Sequence, residues 1–189
     1  MPRAGLSTSS VVDAATALVD ERGPGALTLA NVAARTGVAA PSLYKHVDSV
    51  AALRNLVSLR ILGEVADAVA AAILGRSGDD AVAALMLAYQ TYATQHPNRY
   101  ALFPQQPNDD PRLAASGQQL VDIVLTVLRG YRIEGSEAIH AARCIRATMH
   151  GFAALQIAGG LGLPQQTDVT HERLVCMVVA GLRTCASCG

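Results

Sequence analysis

The chain lacks the features that mark several large functional classes. In its 189 residues no run of about 18 uninterrupted apolar positions occurs, so no membrane-spanning helix is expected. The opening MPRAGLSTSS has no apolar core of the kind a signal peptide needs, and a cytoplasmic location is expected. Catalytic signatures are missing as well. The five histidines, His46, His96, His140, His150 and His171, show neither H-x-x-x-H nor H-E-x-x-H spacing. There is no G-x-S-x-G and no P-loop, so a helical enzyme would have no nucleophile–base pair, metal site or phosphate cradle to work with. No catalytic residue and no cofactor is expected. No strand alternation and no internal repeat is present.

Net charge is also lacking: 15 basic residues balance 15 acidic ones. The balance hides a small asymmetry. Residues 1–60 hold six bases against four acids, a surplus of two, and residues 61–189 carry the opposite surplus. A nucleic-acid binder with so few cations would make few phosphate contacts per subunit and would act as a dimer. Cysteine is scarce too. Cys185 and Cys188 form a C-x-x-C near the end of the chain, but no second ligand pair lies nearby in sequence, so a four-ligand metal site is not expected. The four thiols are expected to be free, with Cys144 and Cys176 buried as small apolar residues.

What is present is helical. Apolar residues make up 51% of the chain, which excludes a mainly disordered polypeptide. The most informative stretch is TLANVAARTGVAAPSLYKHV, residues 28–47. It reads as two short helices around a tight turn. Thr28 stands where an N-cap belongs, and the first helix runs from about Leu29 to Thr36. Gly37 supplies the left-handed residue that stops it. The second helix starts near Ala40, with Pro41 in its first turn, where a missing N–H costs little. Leu43 and Val47, four apart, bury one face. Ala39, Ala40, Ser42, Tyr44, Lys45 and His46 are left facing out. Small residues at 39, 40 and 42 would let the helix approach base edges in a major groove about 12 Å wide. Tyr44, Lys45 and His46 would donate to phosphates. An ordinary helical hairpin with a glycine turn has the same outline.

The blocks VVDAATALVDERG, LTLANVAARTGV and APSLYKHVDSVAAL go further. From Val11 to about Leu59 the sequence resembles the DNA-binding domain of the TetR (tetracycline-repressor-like) family of bacterial transcription regulators, most specifically in its Leu43-Tyr44-x-His46-Val47 block. The match covers about a quarter of the chain, and the remainder is compatible with the family's variable, all-helical ligand-binding domain. The resemblance implies a dimer on a DNA operator. In place of the lysine that family members often carry at the start of the fourth helix, this chain has Val50. Ser49 is left to cap that helix and to present its N-terminus to a phosphate.

The expected fold is all-α. A helix-turn-helix domain over residues 1–48 precedes a ligand-binding and dimerisation domain over residues 49–189. Helix one should run from about Thr8 to Arg22, capped by Ser7, and a mobile arm carrying Arg3 precedes it. A long helix from Val50 to about Leu74 bridges the two domains. Helices over about 80–96, 111–128, 136–158 and 169–183 follow, with one short turn over 98–103 and a loop from Pro104 to Asn108. Ser136 should cap the helix that it opens.

Two sets of residues in the second domain invite a functional reading. Ala147, Gly151, Ala154 and Ala158 form a small-residue row that allows close helix approach, and Val175, Val178 and Leu182 form an apolar ridge on the last helix. Packed against their symmetry mates they would make a four-helix dimer interface; the same faces would equally serve inside one subunit. Arg146 and His150, four apart, lie on one face, which is ordinarily a solvated one but would suit a ligand acceptor if turned inward. With Tyr89, Tyr92 and Phe103 they are the candidate effector site. The combined expectation is a ligand-responsive repressor that binds a near-palindromic operator as a homodimer and is released by a small molecule. The alternative is a DNA-binding regulator with no effector.

Overall fold

A computed structural model describes residues 6–104 and 110–187. The expected arm with Arg3, most of the loop before Asp110, and Cys188 lie outside the described residues. All regular structure among the described residues is helical: α1 (Thr8–Arg22), α2 (Leu29–Thr36), α3 (Ala40–Leu43), α4 (Val50–Ile73), α5 (Gly78–Gln95), α6 (Pro97–Tyr100), α7 (Pro111–Arg129), α8 (Gly135–Ile157) and α9 (Thr167–Ser187). A single 3-10 turn, Pro24–Ala26, links α1 to α2.

The chain divides into two compact units. The first comprises residues 1–63 and 96–116; the second comprises 64–95 and 117–189. The division therefore falls inside α4 and α7, and the segment that contains α6 belongs with the helix-turn-helix. The sequence alone groups that segment with the second domain.

In the first unit, Ser7 caps α1 by accepting from the Ser10 backbone N–H at 3.1 Å, and Ser10 reciprocates to the Ser7 backbone at 2.9 Å. This closes a capping box of two serines. Val11, Val12, Ala15, Leu18 and Val19 make the buried stripe of α1, and they meet Leu29, Val32, Leu43 and Val47 in one small core. Leu53, Val57 and Ile61 of α4 are also fully buried.

In the second unit, α5 packs on both α8 and α9. Val82, Leu85, Met86 and Tyr89 from α5 and Ile145, Met149, Phe152 and Ala153 from α8 are buried. The end of α7 comes very close to the start of α5. A Cβ on Gly130 would stand 3.2 Å from the Val127 carbonyl and 3.4 Å from the Gly78 nitrogen, so only glycine fits there without a shift. The Tyr131 hydroxyl donates to Asp79 at 2.7 Å, and Arg183 from α9 pairs with the same carboxylate. The cap of α8 differs from expectation. The helix begins at Gly135 with Glu134 at the cap position and no side-chain cap bond, which leaves Ser136 inside the first turn. Gly135 takes a φ of 58°, a left-handed conformation that glycine adopts without strain.

Candidate nucleic-acid interface

The helix-turn-helix over residues 28–47 is built by local signals. Thr28 caps α2, its hydroxyl accepting from the Asn31 N–H at 3.2 Å. Asn31 returns its side-chain amide to the Ala26 carbonyl at 2.8 Å, which fixes the approach to the helix. Gly37 ends α2 in the left-handed region, with φ 70° and ψ 27°. Arg35, in the last turn of α2, holds Glu21 of α1 through two bonds of 2.7 Å. Regular α-helix in α3 spans only Ala40–Leu43 and continues as turn through Tyr44 to His46. The Val47 N–H still bonds the Leu43 carbonyl at 3.0 Å, so Leu43 and Val47 share the inner face, as their spacing demands.

The outer face carries the expected residues. Ala39 and Lys45 are exposed, Tyr44 is 57% exposed, and Ala40, Ser42 and His46 are half-buried. Ser49 is exposed and caps α4, its hydroxyl accepting from the Ala52 N–H at 3.0 Å. The surface is small at the first turn of α3 and polar just after it. That combination suits close approach to base edges flanked by phosphate donors.

The candidate effector residues divide between the two units. Tyr89 and Tyr92 on α5 are buried in the second unit. The Tyr92 hydroxyl donates to the Glu64 carboxylate of α4 at 2.6 Å. His150 on α8 is half-buried, and burial, followed by the nearby Arg146 charge, pushes its pKa down. Arg146 itself is exposed. Phe103 belongs to the first unit, where it is buried and stacks on Tyr100 with ring centroids 5.7 Å apart. Gln90 of α5, 8% exposed, donates to the Gln156 side chain of α8 at 2.9 Å.

Of the candidate interface residues, Ala147, Gly151, Ala154 and Ala158 are all exposed along α8. On α9, Val175 and Val178 are half-buried, and Leu182 is only 5% exposed within the protomer. The outward row of α9 holds Met177, 71% exposed, with Cys176 and Ala180 beside it. The cysteines reverse the expectation of burial: Cys144 and Cys176 are exposed free thiols. The reason is position on the helix. Cys144 falls three residues before Ala147 on the small-residue row, and Cys176 adjoins Met177, so both share faces that the protomer leaves uncovered. Among the described residues no cluster of His, Cys, Asp or Glu could hold a metal ion, and no helix is long and apolar enough to cross a membrane.

Residues 11–55 match the family model of the bacterial regulatory proteins of the tetR family. Residues 82–178 match the tetracyclin repressor-like C-terminal domain. An uncharacterized HTH-type transcriptional regulator of Mycobacterium tuberculosis is 34% identical over 179 residues, covering 94% of this chain and 82% of that protein. The chain belongs to the TetR family. A second relative, an uncharacterized HTH-type regulator of Bacillus subtilis, is 34% identical over 156 residues and covers 82% of this chain and 81% of its own. These TetR-family relatives are transcriptional regulators, not enzymes. Among solved structures, a protein of unknown function from Rhodococcus sp. RHA1 superposes with a TM-score of 0.84 at 21% identity, over 96% of this chain and 98% of that one. A TetR variant from Acinetobacter baumannii in complex with minocycline gives 0.74 at 18% identity, over 96% and 99%. At these identities the likeness is one of fold.

Two contacts of this TetR-family chain are not among those expected from the sequence. Arg99 and Asn98 bind α1 from α6, a contact between residues nearly 80 positions apart that no periodicity announces. Glu64 is different. It is an acid beside the buried seam of Ile61, Leu62 and Val65, and a charge at such a position signals a buried partner in advance.

Proposed function

We propose that this TetR-family regulator is a repressor that binds a near-palindromic operator as a homodimer and is released by a small-molecule effector. The observation that carries the DNA half is the outer face of α3: small residues at 39, 40 and 42, followed at once by the exposed Tyr44 and Lys45. Two such faces, one per protomer, would enter successive major grooves.

The dimer half is supported by the exposed row of Ala147, Gly151, Ala154 and Ala158 on α8. Together with Met177 on α9 it is an apolar face with nothing among the described residues packed against it. Val175 and Val178 flank this face, whereas Leu182 serves the protomer's own core. The effector half rests on Tyr89, Tyr92 and His150 in the second unit, with Arg146 as a further candidate; Phe103 belongs to the first unit and is set aside. Fold relatives carry small molecules: the Acinetobacter baumannii protein was solved with minocycline, and ActR of Streptomyces coelicolor with (S)-DNPA. An apolar molecule with one polar handle is the kind of effector these residues suit. It would act by stabilising one of two arrangements of α4.

The test is a gel shift on the DNA flanking the protein's own gene, searched for a palindrome, followed by a small-molecule panel for release of the shifted band. Failure to shift any palindromic duplex would remove the operator reading. A shift that no compound reverses would favour a regulator without an effector.

A further inference from the structure

The segment that follows α5 is built into the first unit. The Asn98 side-chain amide donates to the Asp20 carbonyl at 2.9 Å. Arg99 grips the Asp20 carboxylate through Nε and Nη2, both at 2.7 Å. The pair is sheltered, with 21% of the arginine and 33% of the aspartate side chain exposed. Ser58 of α4 donates to the Leu102 carbonyl at 3.0 Å in a buried contact, and Tyr100, Leu102 and Phe103 are all buried.

The Asn98 and Arg99 bonds land on the last turn of α1, where a helix leaves carbonyls unpaired and favours a cation. The next residue, Glu21, is the one held by Arg35 from the end of α2. The turn is thus gripped from two sides. One grip comes from α6, the other from the first helix of the reading head. Beyond it the chain passes through Gly23, at φ 80°, and a single 3-10 turn into the capped start of α2.

We propose that α6 is part of the DNA-reading apparatus, with Arg99 and Asn98 as positioning residues that set where α2 and α3 stand by fixing the last turn of α1. Neither residue needs to touch DNA. The proposal rests on the reading of the first unit as the DNA-binding one, and within that unit it ties the reading head to α6 through the last turn of α1.

The probe is the duplex that wild-type protein enriches from a random library. Arg99→Ala should weaken binding to that duplex roughly tenfold, because a sheltered bidentate ion pair is lost. The variant should sediment as the wild type does. Arg99→Lys, which keeps the charge but not the fork, should recover part of the loss. In Asp20→Ala the further change Arg99→Ala should cost little, since the pair is already broken. Arg112→Ala removes an exposed local pair with Asp110 and should change nothing. Amide exchange of the free protein supplies a second readout: Arg99→Ala should speed exchange across residues 29–47. A fall in melting temperature with unchanged exchange there and unchanged affinity for the selected duplex would overturn the proposal and leave Arg99 as a structural residue. Wild-type protein that enriches no duplex would overturn the DNA reading itself, while the exchange result would still judge the brace.

Discussion

His171 offers a perturbation whose sign and ceiling follow from the structure. It is 7% exposed near the start of α9. Its ring lies 5.5 Å from that of Phe152 on α8. The ring therefore packs the first turns of α9 against α8. Burial lowers its pKa from 6.5; the Met86 backbone and the charges of Asp168 and Glu172 offset only part of that. A depressed folded pKa means that the unfolded chain binds more protons, so the contribution is fully present above pH 6.5 and is lost as pH falls through the folded value. One proton sets a ceiling of about 1.4 kcal/mol per pH unit. His150 shifts in the same direction, and Asp110, lowered to about 2, acts only in the carboxylate range. The window just below pH 6.5 therefore belongs to the histidines. Denaturant unfolding at one protein concentration, from pH 7.5 to 5, should show stability falling with acid. His171→Phe keeps a ring against Phe152 and removes the titrating group. Its pH slope should be shallower than that of the wild type by up to one proton. Equal slopes would refute the reasoning, and stability that rose on acidification would show that Asp168 and Glu172 outweigh burial.

The other perturbations act elsewhere. Lys45→Ala should weaken binding equally on selected and scrambled duplexes, whereas Ser42→Ala should change base preference by about 1 kcal/mol at one position per half-site; anisotropy titrations on both duplexes separate the two. Tyr44→Phe should cost roughly 0.5–1.5 kcal/mol per protomer in the same assay. Gly151→Leu should convert a dimer to a monomer in sedimentation without loss of protomer stability, because nothing lies within 4 Å of the position its Cβ would take; a monomeric wild type would end that argument. Tyr92→Phe leaves the Glu64 carboxylate without a 2.6 Å donor and should lower stability in thermal unfolding by about 1.5–3 kcal/mol.

The parts of the fold that were legible in the sequence are those written by neighbours a few residues apart. Ser7, Thr28, Gly37 and Pro111 announce helix ends, and the capped or left-handed geometry follows. The apolar stripes of α1 and α4 likewise read off their periods. What stayed hidden depends on contacts distant in sequence. The apolar residues of α9 sit at helical spacing all round, so Leu182 and Met177 look alike, yet one is buried and the other is 71% exposed. Cys144 and Cys176 misled for the same reason: small apolar residues lie inward unless the helix face has no partner within the chain. The placement of α6 turns on one guanidinium meeting one carboxylate 79 residues away, and local pattern carries no trace of it.

The same ion pairs bear on how strongly salt should weaken DNA binding. In the first unit, Arg35, Arg60 and Arg99 pair with Glu21, Asp13 and Asp20, each at 2.7 Å. Every acid of α1 is thus used to hold an arginine inside the protomer. That leaves Arg22, Lys45 and Arg54 as the described cations among residues 6–63 that form no ion pair within the described residues, although Arg22 is close enough to Glu21 to help lower its carboxyl. Three contacts per protomer, each releasing about 0.9 of a counterion, set the slope of log K against log salt for a dimer at no steeper than about −5, before any contribution from Arg3. The measurement is affinity for the selected duplex between 50 and 200 mM salt, a range of about that in which such slopes are read. Lys45→Ala should flatten the slope by about two units, one contact being lost from each protomer. A wild-type slope steeper than about −8 would mean that arginines now paired inside the protomer swing out to phosphate. In that event Arg99→Ala would flatten the slope, whereas a brace that never touches DNA lowers affinity and leaves the slope alone.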